Sequence, residues 1–342
     1  MFNFSKNKKV IIVAEISANH AQNFKRAVSL IEEAKECGAD AVKFQAYTPD
    51  TLTIDVDNKY FRIEDHPQWG GQTLYQEYKK AYTPWKWFKE LKKISDDLGL
   101  EFFATAFDRT AVDFLEELDV RVHKIASFEL VDIPLIEYAA KTGKPLILST
   151  GMADFPEISE AVAAARQAGA AKIALLKCTT TYPADPRQMN LRTMADMKKR
   201  FSCSVGLSDH TMGIAVSLAA VALGAIIIEK HFILSRKRQT LDSFYSIEPS
   251  ELKELVDNVR LIEDALGEIS YKVDAAQKKF LLYRRSLFVT EDIEKGETVT
   301  EKNVRSIRPA QGMKPKYLQS IIGKKAKKNI KKGTPVRRGL FS

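Results

Sequence analysis

Eight short runs of apolar and β-branched residues recur along the chain, at 10–16, 41–47, 101–107, 122–127, 145–150, 173–178, 205–209 and 226–232. Between most of them lie windows, at 24–37, 110–118, 135–141, 156–168, 191–201, 213–223 and 250–266, whose apolar residues return every third or fourth position. That spacing predicts helices with one buried face. Several windows are closed by a glycine, among them Gly38, Gly143, Gly169, Gly224 and Gly267, the residue best suited to end a helix. Strands that read as continuously apolar and alternate with helices belong to a parallel sheet, and eight such units predict a (β/α)8 TIM barrel. A doubly wound sheet with a nucleotide site would carry a glycine-rich turn after a strand, and neither G-x-G-x-x-G nor a P-loop pattern occurs.

The texture changes after Gly267. Short strand-like pieces such as 286–290, 303–309 and 329–336 are joined by glycine turns, which predicts a small β-rich domain. A chain of 342 residues also exceeds what one core usually holds. The expected division is a barrel over 1–268, a linker over 269–283 and the small domain over 284–342. One connection breaks the barrel's rhythm: residues 48–99 hold all three tryptophans, Trp69, Trp85 and Trp87. Long loops at the C-terminal rim of a barrel commonly cover substrate, which is the expectation for 48–74, whereas Trp85 and Trp87 equally suit helix packing.

The net charge of +9 raises the question of nucleic acid until it is localised. From Tyr271 onward 19 Lys and Arg stand against 6 Asp and Glu, so the excess belongs to the tail. Its lysine runs are broken by Gly, Thr and Pro and lack aromatic residues for base stacking, which favours a solvated face or one turned to an anionic substrate or acidic partner. No nucleic-acid partner is expected. No apolar stretch is long enough to cross a bilayer and no secretory signal pattern is present, so neither a membrane nor export is expected and the protein reads as cytoplasmic. Cys37, Cys178 and Cys203 are widely spaced and odd in number, which fits reduced thiols, read as core packing.

Polar residues gather at the C-terminal ends of the runs, where barrel enzymes build their active sites. The first run ends in Glu15, Asn19 and His20, and the second carries Lys43 and Gln45. The third carries Thr105 and Asp108, the fourth Lys124 and Ser127, the fifth Ser149. The sixth leads to Thr179, Thr180 and Tyr182, the seventh to Ser208, Asp209 and His210, and the eighth to Glu229, Lys230 and His231. Alternation along a strand puts Lys43 with Gln45, and Glu229 with His231, on one face. Buried lysines need partners: Lys43 and Lys124 either hold an anionic ligand, phosphate or carboxylate, or pair internally with Glu15 or Glu229. A histidine at a strand end is commonly a hydrogen-bonded core residue, yet His210 and His231 on successive strands, with His20 on the first, point to a divalent metal site.

These segments also resemble a known family. The series 14–20, 42–45, 124–127, 149–152, 206–210, 228–231 and 306–309 is similar to the sialic acid synthase family, in which a (β/α)8 barrel precedes an antifreeze-like (SAF, β-clip) domain. Segments 73–78, 83–85, 107–113 and 126–130 are most similar to its pseudaminate-forming branch. The resemblance implies a transferase that condenses phosphoenolpyruvate with an N-acetylated amino sugar, here 2,4-diacetamido-2,4,6-trideoxy-altrose, to a nine-carbon 2-keto acid and phosphate. Formation of N-acetylneuraminate or legionaminate from another hexose is the alternative within the family, and a nucleic-acid-binding module the alternative outside it. By match, Lys43, Gln45, Thr105, Lys124, Ser127, Ser149, Tyr182 and Ser208 hold phosphoenolpyruvate, and Asn19, Asp242 and Arg308 the sugar. His210 and His231 bind a divalent ion, Mn²⁺, Mg²⁺ or Co²⁺, that activates the sugar aldehyde, and Glu15, Glu229 and Lys124 are the catalytic groups. Thr180 departs from the Asn or Ser of many relatives. A domain-swapped, head-to-tail homodimer is implied, with the basic domain over the partner's barrel. Phe107, Phe128 and the 47–78 insertion are expected near the sugar's terminal methyl.

Overall fold

The computed structural model describes residues 9–64 and 70–342, in two compact units, 1–267 and 268–342. In the first, eight parallel strands close a barrel in chain order: β1 Ile11–Glu15, β2 Ala41–Ala46, β3 Glu101–Ala106, β4 His123–Ile125, β5 Leu146–Ser149, β6 Ile173–Cys178, β7 Ser204–Asp209 and β8 Ile227–His231. Helices follow the strands: α1 Phe24–Glu36, α2 Pro49–Leu52, α3 Leu74–Ala81, α4 Phe88–Asp97, α5 Arg109–Glu117, α6 Ile133–Ala140, α7 Phe155–Gln167, α8 Thr193–Phe201, α9 Ala215–Ala222 and α10 Pro249–Leu266. The barrel expected from the strand–helix rhythm is therefore the fold.

Local chemistry starts these helices where the loops meet them. Asn23, Asp108, Asp132 and Asp154 each accept a backbone N–H in the first turn of α1, α5, α6 and α7, and Glu157 returns the bond to Asp154. Each cap is worth about 1 kcal/mol. The strands sort their residues by parity. Ile11, Val13, Phe103, Ile147, Leu176 and Ile227 fill the lower barrel interior, while Ile12, Val42, Phe102, Leu148, Leu207 and Ile228 face the helices. Fully burying a side chain of this size contributes about 1.5–3 kcal/mol. Gly206 is required on the interior face of β7, since a Cβ there would meet the Ile227 carbonyl oxygen and Leu176 Cδ2 at 2.6 Å.

In the long connection, Trp85 donates to the Tyr47 carbonyl at 3.1 Å and stacks on Phe114, and Trp87 packs edge-on against His20 and Phe24. Both are packing residues; Trp69 lies outside the described residues. The second unit opens with α11 Ala275–Lys278 and a 3-10 turn over Lys279–Tyr283, within the segment expected as linker. It then pairs β9 Ser286–Val289 antiparallel to β10 Val304–Ile307 around Leu287, Val289, Ile293, Val299 and Val336. Among the described residues no helix is long and apolar enough to cross a membrane.

Candidate functional site

The same parity that packs the lower barrel builds a polar layer above it. Two residues beyond Val13, Ala41, Phe103, Val122, Ile147 and Ile227 on their strands stand Glu15, Lys43, Thr105, Lys124, Ser149 and Glu229, all at most 5% exposed. Register makes them neighbours: Glu15 pairs with Lys43, Thr105 with Lys124, and Ser208 with Glu229. Lys43 Nζ lies 2.7 Å from Glu15 Oε2 and 3.7 Å from Glu229 Oε1, and donates to Thr105 Oγ1 at 3.0 Å. Gln45 donates to Glu15 Oε1 at 3.1 Å, and Ser208 to Glu229 Oε1 at 3.0 Å. Lys124 reaches Ser149 Oγ at 2.7 Å, and Ser127 Oγ accepts the Gly151 N–H at 3.0 Å.

The two buried carboxyls diverge in acidity. Burial raises the Glu15 pKa, and the Lys43 ammonium only partly offsets it. Burial acts on Glu229 in the same sense, but Lys43 and Lys124, with the Ser208 hydroxyl, override it and hold the group at about 2. A carboxyl that can carry a proton beside one that stays ionised is an arrangement suited to acid–base work. Burial lowers the Lys124 pKa, whereas at Lys43 the two carboxylates outweigh burial and raise it.

His210 and His231 come together on the rim, with ring centroids 5.4 Å apart. His210 Nδ1 donates to the Thr179 carbonyl at 3.0 Å, which leaves Nε2 with a free lone pair. Among the described residues, buried His231 Nδ1 has no hydrogen-bond partner, nor has Glu229 Oε2. Desolvation, reinforced by His210 and Lys43, keeps the His231 pKa well below the usual imidazole range, so the ring is neutral, as a ligand must be. At His210 burial is outweighed by the neighbouring Cys178 and the bond to Thr179, which raise the pKa, so this ring releases its proton on binding a metal. With that proton gone, the two imidazoles fit a divalent ion whose remaining positions are open to water and substrate. Among the described residues no group of three or more His, Cys, Asp or Glu side chains forms a metal cage.

Tyr182 and Tyr245 pack against this pair: Tyr182 is 4.5 Å from the His210 ring and Tyr245 4.7 Å from His231. Tyr245 was not legible in the sequence, because it follows β8 in an irregular loop. Its hydroxyl donates to Asp242 Oδ1 at 2.7 Å, while Asp242 Oδ2 accepts Ser17 Oγ at 2.6 Å and the Ala18 N–H at 3.1 Å. Asn19 donates to the Phe232 carbonyl and Ser246 Oγ, both at 2.9 Å, and accepts from Thr240. His20 stands apart from the other two imidazoles, bonding Thr83 Oγ1 at 2.9 Å under Trp87. Cys178, read as core packing, lies on the interior face with Sγ 3.9 Å from His210 Nδ1; its alternation with Ala174 and Leu176 was the available signal. Glu129, just past β4, also escaped the sequence reading. Burial raises it to about 7 against the pull of Lys124, and its Oε2 has no hydrogen-bond partner among the described residues. Arg308, in the second unit, is exposed directly after β10.

The chain resembles known proteins over nearly its whole length. The profile of the NeuB family matches residues 30–271, and that of the SAF domain residues 284–341. A pseudaminic acid synthase of Campylobacter jejuni subsp. jejuni serotype O:2 is 41% identical over 339 residues, 99% of this chain and 98% of its own length. One from Helicobacter pylori is 41% identical over 326 residues, 95% and 96% of the two chains. An N,N'-diacetyllegionaminic acid synthase of C. jejuni is 39% identical over 333 residues, 96% and 99%. Among solved structures, the N-acetylneuraminic acid synthetase of Leptospira borgpetersenii serovar Hardjo-bovis, crystallised with citrate, superposes with a TM-score of 0.71 at 34% identity, covering 80% of this chain and 90% of that one. With a family profile over most of the barrel, an SAF domain after it, and relatives matched nearly end to end, the chain belongs to the NeuB family of sialic acid synthases.

Proposed function

We propose that the chain is a pseudaminic acid synthase, a transferase that condenses phosphoenolpyruvate with 2,4-diacetamido-2,4,6-trideoxy-altrose and releases phosphate. The observation that carries the chemistry is the buried layer in which Lys43 and Lys124 stand among Thr105, Ser149 and Ser208 beside two carboxyls of opposite acidity. Two buried cations among hydroxyls hold an enol phosphate carboxylate and phosphate better than any neutral ligand. Ser127 and the Gly151 N–H extend the phosphate cradle, and Gln45 and Tyr182 flank it.

A divalent ion bound by His210 and His231, with Mn²⁺, Mg²⁺ and Co²⁺ all compatible with imidazole ligands, supplies Lewis acidity toward the open-chain aldehyde. The enol carbon of phosphoenolpyruvate attacks that aldehyde, the aldehyde oxygen takes the proton of Glu15 as it becomes a hydroxyl, and C2 of phosphoenolpyruvate becomes cationic. Ionised Glu229 stabilises the charge, and Glu15 receives the proton of the water that adds to C2, so that phosphate leaves by C–O cleavage. Asp242 and Asn19 shape the sugar side, Arg308 acts on the sugar from a partner subunit in a domain-swapped homodimer, and the protein works in the cytoplasm without nucleic acid or membrane. The divisions at 1–268, 269–283 and 284–342 describe its barrel, linker and SAF domain.

The 6-deoxy sugar is favoured over a hexose by an aromatic group: Tyr47, buried, meets Phe107 at 5.1 Å and Tyr78 at 5.8 Å between ring centroids. An apolar wall of this kind accepts a terminal methyl, whereas a hydroxymethyl group there loses hydrogen bonds. Phosphate release with phosphoenolpyruvate, Mn²⁺ and a panel of amino sugars tests the assignment. Release with the diacetamido-trideoxy sugar is expected; release with N-acetylmannosamine alone overturns the specificity. A fully active monomer in solution scattering refutes the dimer.

A further inference from the structure

On the outward face of β7 and β8, where Val205, Leu207 and Ile228 are apolar, the two strands also carry a charged pair. Asp209 and Lys230 are register partners, with side chains 0% and 1% exposed. Lys230 Nζ lies 3.0 Å from Asp209 Oδ2 and donates to the Thr211 carbonyl at 2.6 Å. Asp209 Oδ1 accepts the Thr211 N–H at 2.9 Å and its hydroxyl at 2.8 Å, while Oδ2 accepts the Ser217 hydroxyl of α9 at 2.6 Å. A buried ion pair is a poor source of stability, because apolar residues of the same volume often do as well. What this one does fix is geometry.

His210 sits between Asp209 and Thr211, and His231 directly follows Lys230. The backbone on both sides of His210 is thus tied to the residue that precedes His231. We propose that the Asp209–Lys230 pair is a positioning device that sets the separation of the His210 and His231 imidazoles for a shared divalent ion. The inference rests on the assignment of those two imidazoles as metal ligands. Neither Asp209 nor Lys230 faces the barrel interior, so they act through the histidines and not on substrate.

Isothermal titration of the full-length protein with Mn²⁺ tests this, with circular dichroism and thermal unfolding on each variant. Asp209→Asn/Lys230→Met keeps the volume of the pair and leaves no buried charge unpaired. It is expected to fold and to bind Mn²⁺ about 10–100-fold more weakly, the usual effect of losing the groups that orient metal ligands, while the KM for phosphoenolpyruvate at saturating Mn²⁺ stays within about twofold of wild type. Thr211→Val removes one hydroxyl bond, keeps the ion pair, and is expected to weaken Mn²⁺ binding by about threefold; it decides the matter if the double variant does not fold. Wild-type Mn²⁺ affinity in the folded variants overturns the positioning role. Wild-type affinity in His231→Ala overturns the metal assignment itself, and the inference with it.

Discussion

Lys43 Nζ lies 2.7 Å from Glu15 Oε2, both side chains buried in the mouth of the barrel. Glu15 nevertheless has a raised pKa, because desolvation exceeds what the ammonium returns. A carboxyl weakened as an acid in this way is suited to take up and return a proton during catalysis. Glu15→Gln keeps the shape and the Gln45 neighbourhood but removes proton exchange. Turnover in a phosphate-release assay is expected to fall by about 10²-fold or more, with the KM for phosphoenolpyruvate little changed. Wild-type turnover in this variant refutes the role.

The imidazole pair gives a second expectation. His210 keeps Nε2 available by donating Nδ1–H to Thr179, and His231 Nδ1 has no hydrogen-bond partner among the described residues. Replacing either histidine by Ala is expected to weaken Mn²⁺ binding by more than the roughly 10–100-fold typical of losing an orienting neighbour, and to abolish metal-dependent turnover. Calorimetric titration and phosphate release check the two effects separately.

The barrel was legible in the sequence because its strands are buried on both faces and its helices on one, so two different periods mark the elements. The polar layer followed from parity: once Val13 is interior, Glu15 is interior. What the sequence left open depended on contacts across the chain. Lys43 was expected to meet either an anion or a carboxylate, and only the closed barrel shows it between Glu15 and Glu229. Asp209 and Lys230 ended the same runs as His210 and His231, yet a shift of one residue turns them to the helices. Tyr245 and Asp242 lie in a loop without a period, so no pattern joined them to the histidines. His20 ended an apolar run like the other two, but its partner Thr83 comes from the long connection, whose packing no local rule predicts.

That packing makes His20 a source of acid sensitivity. Burial lowers its pKa from 6.5 to about 4, against a modest opposing pull from Asp242. The unfolded chain therefore binds a proton in a range where the folded chain does not, and stability rises with pH there. The contribution is fully present above about pH 6.5 and is lost as pH falls from 6.5 through 4, to a limit of about 3 kcal/mol. His20→Gln removes this dependence. Urea unfolding of both proteins between pH 4 and 7.5 is expected to show a difference in stability that narrows, and can change sign, on acidification; a constant difference across that range contradicts it.

Two glycines separate packing from binding. Gly206 lies beneath the site, and an added Cβ would stand 2.6 Å from a backbone oxygen that cannot move without opening the β7–β8 ladder. Gly151 follows β5, and its Cβ would stand 2.0 Å from Thr180 Oγ1 and 2.7 Å from Ser127 Oγ, within the proposed phosphate cradle. Overpacking of this order costs about 1–3 kcal/mol, but the cost falls on different states. Gly206→Ala strains the fold itself, so its unfolding temperature is expected to drop by several degrees while the KM for phosphoenolpyruvate stays near wild type. Gly151→Ala can relieve its clash by turning the Thr180 and Ser127 hydroxyls away, which spares the fold and withdraws the Ser127 hydroxyl from the proposed cradle. Its KM for phosphoenolpyruvate is expected to rise about tenfold or more, the equivalent of about 1.4 kcal/mol, with a smaller loss of thermal stability than Gly206→Ala. Equal effects of the two substitutions on KM refute the cradle.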